Sequence, residues 1–124
     1  MDRLNVHHVG NVFLFTPRLD EAYAWYTALF GKPGERAMPQ LTVWELGSVR
    51  FTLHAEDELN HAGADLGGTV PYFDVENADE AADFCVNRGG RVHRGPKTVF
   101  SGERLVQVED PFGGLIGLRQ PPGA

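Results

Sequence analysis

Five histidines (His7, His8, His54, His61 and His93) and one cysteine, Cys85, are the side chains of this 124-residue chain suited to metal binding or nucleophilic chemistry. A lone cysteine excludes an internal disulfide framework and any multi-cysteine zinc site. Adjacent strand residues point to opposite faces, so at most one of His7 and His8 enters a common pocket. His54 falls at the end of an apolar run, His61 in a polar connection and His93 in a late strand. The simplest role of each is a surface or pocket-lining imidazole. Tyr72 and His54 are the candidate proton-transfer groups, with Asp74 and Glu109 the nearest carboxylates. Nothing in the sequence brings these groups within reach of one another, so no catalytic residue is assigned. Cys85 falls on an expected helix and reads as a packed small hydrophobe rather than a nucleophile.

The elements that position these residues follow from pattern. Residues 5–16 are rich in Val and Phe and read as a strand. Pro17 suits the first turn of a helix with Thr16 as its N-cap. Leu19, Ala22, Tyr23, Tyr26, Leu29 and Phe30 recur at helical spacing, and Gly31 stops the run. Pro33-Gly34 reads as a turn, followed by strands at 41–46 and 49–55 and an exposed polar connection at 56–67. A second strand–helix unit begins at 69–76. Asn77 caps a helix over 78–88, with Glu80 completing a capping-box pair. Strands follow near 91–95, 104–109 and 114–119, with the turn Asp110-Pro111-Phe112-Gly113-Gly114 before the last.

The plan repeats. Leu19-Asp20-Glu21-Ala22 returns as Ala78-Asp79-Glu80-Ala81, 59 residues later, and at that offset Gly31 falls on Gly90. Each half is a βαβββ unit of about 60 residues, marginal alone, so two are expected to share a core or a cleft. The expected fold class is α+β: two tandem βαβββ modules forming a cupped mixed sheet around a pocket. The expected domain is single, with module one over about 5–55 and module two over about 68–120.

Composition limits the partners. The net charge is −6, which lacks the basic footprint of a nucleic-acid binder. No apolar run approaches the roughly 18 residues of a membrane span. The first residues open no signal peptide, so cytoplasmic location is the expectation. Charge is uneven. Residues 51–87 hold nine acids and no Lys or Arg, whereas 88–104 hold five bases (Arg88, Arg91, Arg94, Lys97, Arg104) and one acid, Glu103. Such blocks are either two solvated faces or complementary surfaces that attract a cationic ligand or pair in a dimer.

The duplication, Leu19-Asp20-Glu21-Ala22 with Trp25-Tyr26 and Leu29-Phe30-Gly31, Val75-Glu76-Asn77-Ala78-Asp79, and the Asp110-Pro111-Phe112-Gly113-Gly114 turn together resemble the glyoxalase / bleomycin-resistance / extradiol dioxygenase (vicinal oxygen chelate) superfamily. The likeness spans nearly the whole chain. It implies a pocket between modules, pairs of chains, and in the enzymes a metal held by His and Glu on the first and last strands of each module. Counting from the shared landmarks places those ligand positions at Asn11, Val70 and Gly117, with the fourth near Phe51. None of these residues supplies a good metal donor. The expectation is no cofactor; the alternative is a divalent metal held by relocated ligands, chiefly His8 and His54.

Strand alternation groups Asn11, Phe13 and Phe15 on one face, with Val70, Tyr72 and Asp74 on the corresponding face of the repeat. Leu115, Gly117 and Arg119 share such a face on the last strand. The candidate ligand-binding residues are therefore Asn11, Phe13, Trp44, Phe51, His54, Val70, Tyr72, Gln107 and Gly117, a mostly apolar lining typical of small-molecule pockets. The expected function is metal-independent small-molecule binding, as in drug or metabolite sequestration, with a cationic or aromatic ligand and a homodimer. The alternatives are a metal-dependent glyoxalase- or dioxygenase-type enzyme and a non-catalytic accessory homologue.

Overall fold

The computed structural model describes residues 8–58, 60–61 and 70–123. His7, the first residues of the expected opening strand and most of the expected polar connection lie outside these.

Each half builds one four-stranded mixed sheet and one helix. The first half comprises β1 (Asn11–Thr16), α1 (Leu19–Phe30), β2 (Glu35–Met38), β3 (Leu41–Leu46) and β4 (Val49–Ala55). The second comprises β5 (Tyr72–Asp74), α2 (Ala78–Val86), β6 (Arg91–Thr98), β7 (Arg104–Glu109) and β8 (Leu115–Gln120). The sheet orders are β1-β4-β3-β2 and β5-β8-β7-β6. In each sheet the opening strand pairs in parallel with the last, and the remaining pairs are antiparallel. The βαβββ duplication expected from the sequence is thus present, with the same order in both halves.

Local details differ from the pattern. The first helix is capped by Arg18 without a side-chain cap bond, not by Thr16. Thr16 is still strand, opposite Ala55, and its carbonyl accepts from Glu56 N–H. Its hydroxyl accepts from Arg18 N–H at 3.3 Å, so the turn into α1 uses Thr16 without making it the cap. β2 was not located by pattern because Glu-Arg-Ala-Met is exposed along its whole length and shows no apolar alternation. β5 is shorter than the 69–76 expected, and α2 ends at Val86 rather than 88. Asn77 does cap α2, its side chain accepting from Glu80 N–H at 3.0 Å.

One face of each sheet packs on its own helix. Trp44, Phe51 and Leu53 meet Ala22, Trp25 and Tyr26 of α1, and Val106, Val108, Ile116 and Leu118 meet Ala78, Ala82 and Cys85 of α2, in one continuous core. The halves join through that core. Phe73 of β5 packs edge-on to Phe30 and Phe51, with ring centroids 5.2 and 5.4 Å apart. Trp25 Nε1 donates to the Arg88 carbonyl at 2.9 Å. Tyr26 hydroxyl donates to Asp110 Oδ2 at 2.7 Å, with both groups buried.

Candidate functional site

The faces turned away from the helices carry the groups available to a ligand. On the first sheet, Phe13 and Phe15 of β1 flank His54 of β4, with Phe15 and His54 ring centroids 5.3 Å apart. Phe13 is half exposed. His54 Nδ1 lies 2.7 Å from its neighbour's carbonyl, Ala55 O; a carbonyl only accepts, so Nδ1 is the donor there. Asn11 Oδ1 accepts from the Thr52 hydroxyl at 2.9 Å.

On the second sheet, Tyr72 lies opposite Gly117, and Gly117 opposite Gln107. The Tyr72 ring covers Gly117 so closely that a Cβ there would clash with its carbons. Gln107 Nε2 donates to the Tyr72 hydroxyl at 2.9 Å, pinning the ring across the strand. The neighbouring row holds Asp74 and Arg119, and Arg119 bridges Asp74 and Glu103.

The ladders fix the position counted near Phe51. Phe13 faces Thr52 in the first sheet as Tyr72 faces Gly117 in the second. The residue of β4 that matches Gly117 is therefore Thr52, not Phe51. Phe51 is 1% exposed and packs against Tyr26, Phe30, Trp44 and Phe73 on the helix side. Trp44 is also on that side, its indole N–H donating to the Lys32 carbonyl at 2.9 Å. Val70 precedes β5 and is outside the ladder. Its neighbour Pro71 carries the carbonyl that accepts Gly117 N–H.

The implied metal does not fit these positions. Asn11 and Thr52 satisfy each other, Val70 has no donor atom, and Gly117 is covered by Tyr72. Among the described residues no three His, Cys, Asp or Glu side chains come together as a metal site. His8 is exposed, and the His54 ring lies against Phe13 and Phe15. Cys85 is buried on α2, and burial pushes its thiol up to about 11, so it packs as a protonated side chain.

The self-filled position gives a direct prediction. Gly117→Ala should cost about 1–3 kcal/mol by overpacking against Tyr72. Adding Tyr72→Ala should restore most of it, as read by urea unfolding. An unrescued loss would mean that the backbone, not the ring, excludes the side chain.

Between the modules lies a groove of about 700 Å³. Val12 and Phe51 line it from the first half, Phe73 and Leu118 from the second, with Tyr72 and Asp74 at its polar edge. Of the sequence candidates, only Phe51 and Tyr72 reach it. The others divide among the open faces (Asn11, Phe13, His54, Gln107, Gly117), the core (Trp44) and the segment before β5 (Val70). Pattern did not single out Thr52, because it falls between two apolar residues, or the Asp110–Tyr26 contact, because it joins distant elements.

A search of curated proteins finds no match to the chain. Solved structures match in fold. A protein of Agrobacterium tumefaciens determined by solution NMR aligns with TM-score 0.76 and 19% identity, over 95% of this chain and all of that one. A glyoxalase/bleomycin resistance protein/dioxygenase family enzyme of Burkholderia phytofirmans PsJN gives 0.73 and 17%, over 89% and 95%. A lactoylglutathione lyase of Agrobacterium tumefaciens gives 0.69 and 20%, over 93% and 94%. The family model for the Glyoxalase/Bleomycin resistance protein/Dioxygenase superfamily matches residues 5–118. With that match over a duplicated βαβββ fold, the chain belongs to the glyoxalase/bleomycin resistance protein/dioxygenase superfamily.

Proposed function

We propose that this member of the superfamily binds a small organic molecule without a metal, in the manner of drug or metabolite sequestration. The observation that carries the reading is the chemistry at the four counterpart positions. Asn11, Thr52, Val70 and Gly117 offer one amide, one hydroxyl, one isopropyl group and no side chain. Two of them are hydrogen-bonded to each other, and the last is covered by a pinned tyrosine. The groove shared by both modules has the size of small-molecule sites. It favours a ligand-binding role over an accessory homologue with a filled core. Half-exposed Phe13 and Met38 on the first sheet support a second copy of the chain as partner.

A second reading, a metal-dependent lyase or dioxygenase, has one contact in its favour. His54 donates Nδ1–H to a carbonyl and leaves Nε2 free, the arrangement metal-ligating histidines adopt. A thermal-shift screen of the full chain against aromatic and cationic small molecules and against Zn, Ni, Mn and Fe separates the two. A ligand that binds only the native state raises Tm, by the equivalent of about 2.7 kcal/mol at 100 times its Kd. The proposal expects a saturable shift with an organic ligand and none with a metal. A saturable metal shift reversed by EDTA would replace it with the second reading.

A further inference from the structure

The basic stretch 88–104 takes a particular form in β6. Strict alternation would send Arg91 and Arg94 to opposite faces. Two register irregularities, between Val92 and Arg94 and between Arg94 and Lys97, change that. Arg91 lies opposite Glu109, Arg94 opposite Gln107 and Lys97 opposite Leu105. Those partners are every second residue of β7, on the side away from α2, where Val106 and Val108 pack instead. The three bases therefore share the open face of the second sheet. Bulges re-aim side chains in this way. The second irregularity contains Gly95 at φ 86°, where an added Cβ would stand 2.7 Å from the Leu105 carbonyl. The backbone there admits no side chain.

The cations on this face differ in what they are free to do. Arg91 is 2.9 Å from Glu109, and His93 is 3.9 Å from the same carboxylate. Arg119 is held by Asp74 and Glu103. Arg94 and Lys97 have no acidic partner among the described residues. Arg94 stands one strand, about 4.8 Å, from Gln107. Gln107 donates to the Tyr72 hydroxyl, so the phenol keeps its own proton for another acceptor. The row Tyr72–Gly117–Gln107–Arg94 thus runs from a flat, 37% exposed ring to an unpaired guanidinium with no carboxylate in it. Asp74 and Glu109, in the adjoining rows, are ion-paired.

We infer that this open face binds an organic anion, with Arg94, Lys97 and the Tyr72 hydroxyl on its carboxylate and the Tyr72 ring under its flat apolar part. The assignment rests on the small-molecule reading above but seats the ligand on this open face rather than in the groove, with Tyr72 common to both, and it fixes the sign of the ligand. A net charge of −6 points to a cation, but the charged groups without an ion-pair partner on this face among the described residues, Arg94 and Lys97, are both positive. Guanidinium, ammonium and phenol donors to a carboxylate make charge-assisted bonds, stronger than neutral ones.

The probes are 2-naphthoate, its neutral amide and 2-naphthylmethylammonium, each tested by thermal shift and titration on the full chain. Naphthoate is expected to bind best, and added salt to weaken it. The double variant Arg94→Gln, Lys97→Gln keeps exposed polar side chains, so its unliganded Tm should be unchanged. Its affinity for naphthoate should fall at least about tenfold. Equal binding of the amide, preference for the ammonium, or undiminished naphthoate binding by the double variant overturns the anion site and leaves the small-molecule reading standing. No shift with any of the three probes overturns the anion site as well, and with a negative screen above it removes both.

Discussion

Asp110→Ala is expected to destabilise the chain by about 3–5 kcal/mol, a large share of the roughly 5–15 kcal/mol available to a domain of this kind. Asp110 is 5% exposed. Its Oδ1 accepts from Phe112 N–H and Gly114 N–H, each at 2.8 Å, and its Oδ2 from the Tyr26 hydroxyl. One carboxylate thus shapes the β7–β8 turn and ties that turn to α1 of the other module. Truncation leaves a fully buried phenol and two turn amides without their acceptor, and each buried orphan costs about 1–3 kcal/mol. Urea unfolding measures the loss. Tyr26→Phe should cost less, about 1–2 kcal/mol, and the double variant should lose less than the sum because the two groups share one bond. Strict additivity would show that the bond does not couple the modules.

The same carboxyl sets a pH dependence. Burial lifts it above its ordinary value, against the opposing pull of the hydrogen bonds from Tyr26, Gly114 and Phe112. Folding therefore favours the protonated form. That contribution is complete below the ordinary carboxylate pKa and is lost as pH rises through the raised one. Asp110→Asn carries no charge. Wild type should lose stability relative to it as pH rises from the ordinary carboxylate range through the raised pKa. A difference that is flat with pH, or one that grows in favour of wild type, contradicts the assignment.

The second large effect is Phe51→Ala, expected to cost about 3–5 kcal/mol. The ring touches Tyr26, Phe30 and Trp44 of its own module and Phe73 of the other. Its removal opens a cavity where the two cores merge, so unfolding should become less cooperative as well as easier. Thr52→Ala, one residue on, removes the hydroxyl that donates to Asn11 and one buried methyl, and should cost about 1–2 kcal/mol. The contrast tests which face of β4 is core. Comparable losses at both positions would contradict the register.

What the sequence shows plainly is whatever repeats at short range. The helical spacing of Leu19, Ala22, Tyr23 and Tyr26, the Asn77 cap and the offset between halves define two βαβββ units before any coordinates exist. Single-face assignments were less legible. Phe51 and Thr52 lie in a run where residues 51–53 are all buried, so alternation does not say which faces the helix. The β4 ladder against β1 does. β6 hid its geometry for a different reason. Its bulges replace the two-residue period with a spacing of three, and the shared face of Arg91, Arg94 and Lys97 shows only in the pairing with β7. The Asp110–Tyr26 bond joins residues 84 apart in sequence, a distance over which no local pattern carries.

Asn11 and Thr52 bond to each other and Tyr72 covers Gly117, and on this rests the proposal that the chain works without a metal. Elemental analysis tests it most directly, on full chain produced in medium supplemented with Zn, Ni, Mn and Fe and purified without chelator. The expected result is metal far below one equivalent per chain, with a melting temperature that EDTA leaves unchanged. One equivalent of any of these metals, removed by EDTA with a fall in Tm and lost in His54→Ala, would contradict it.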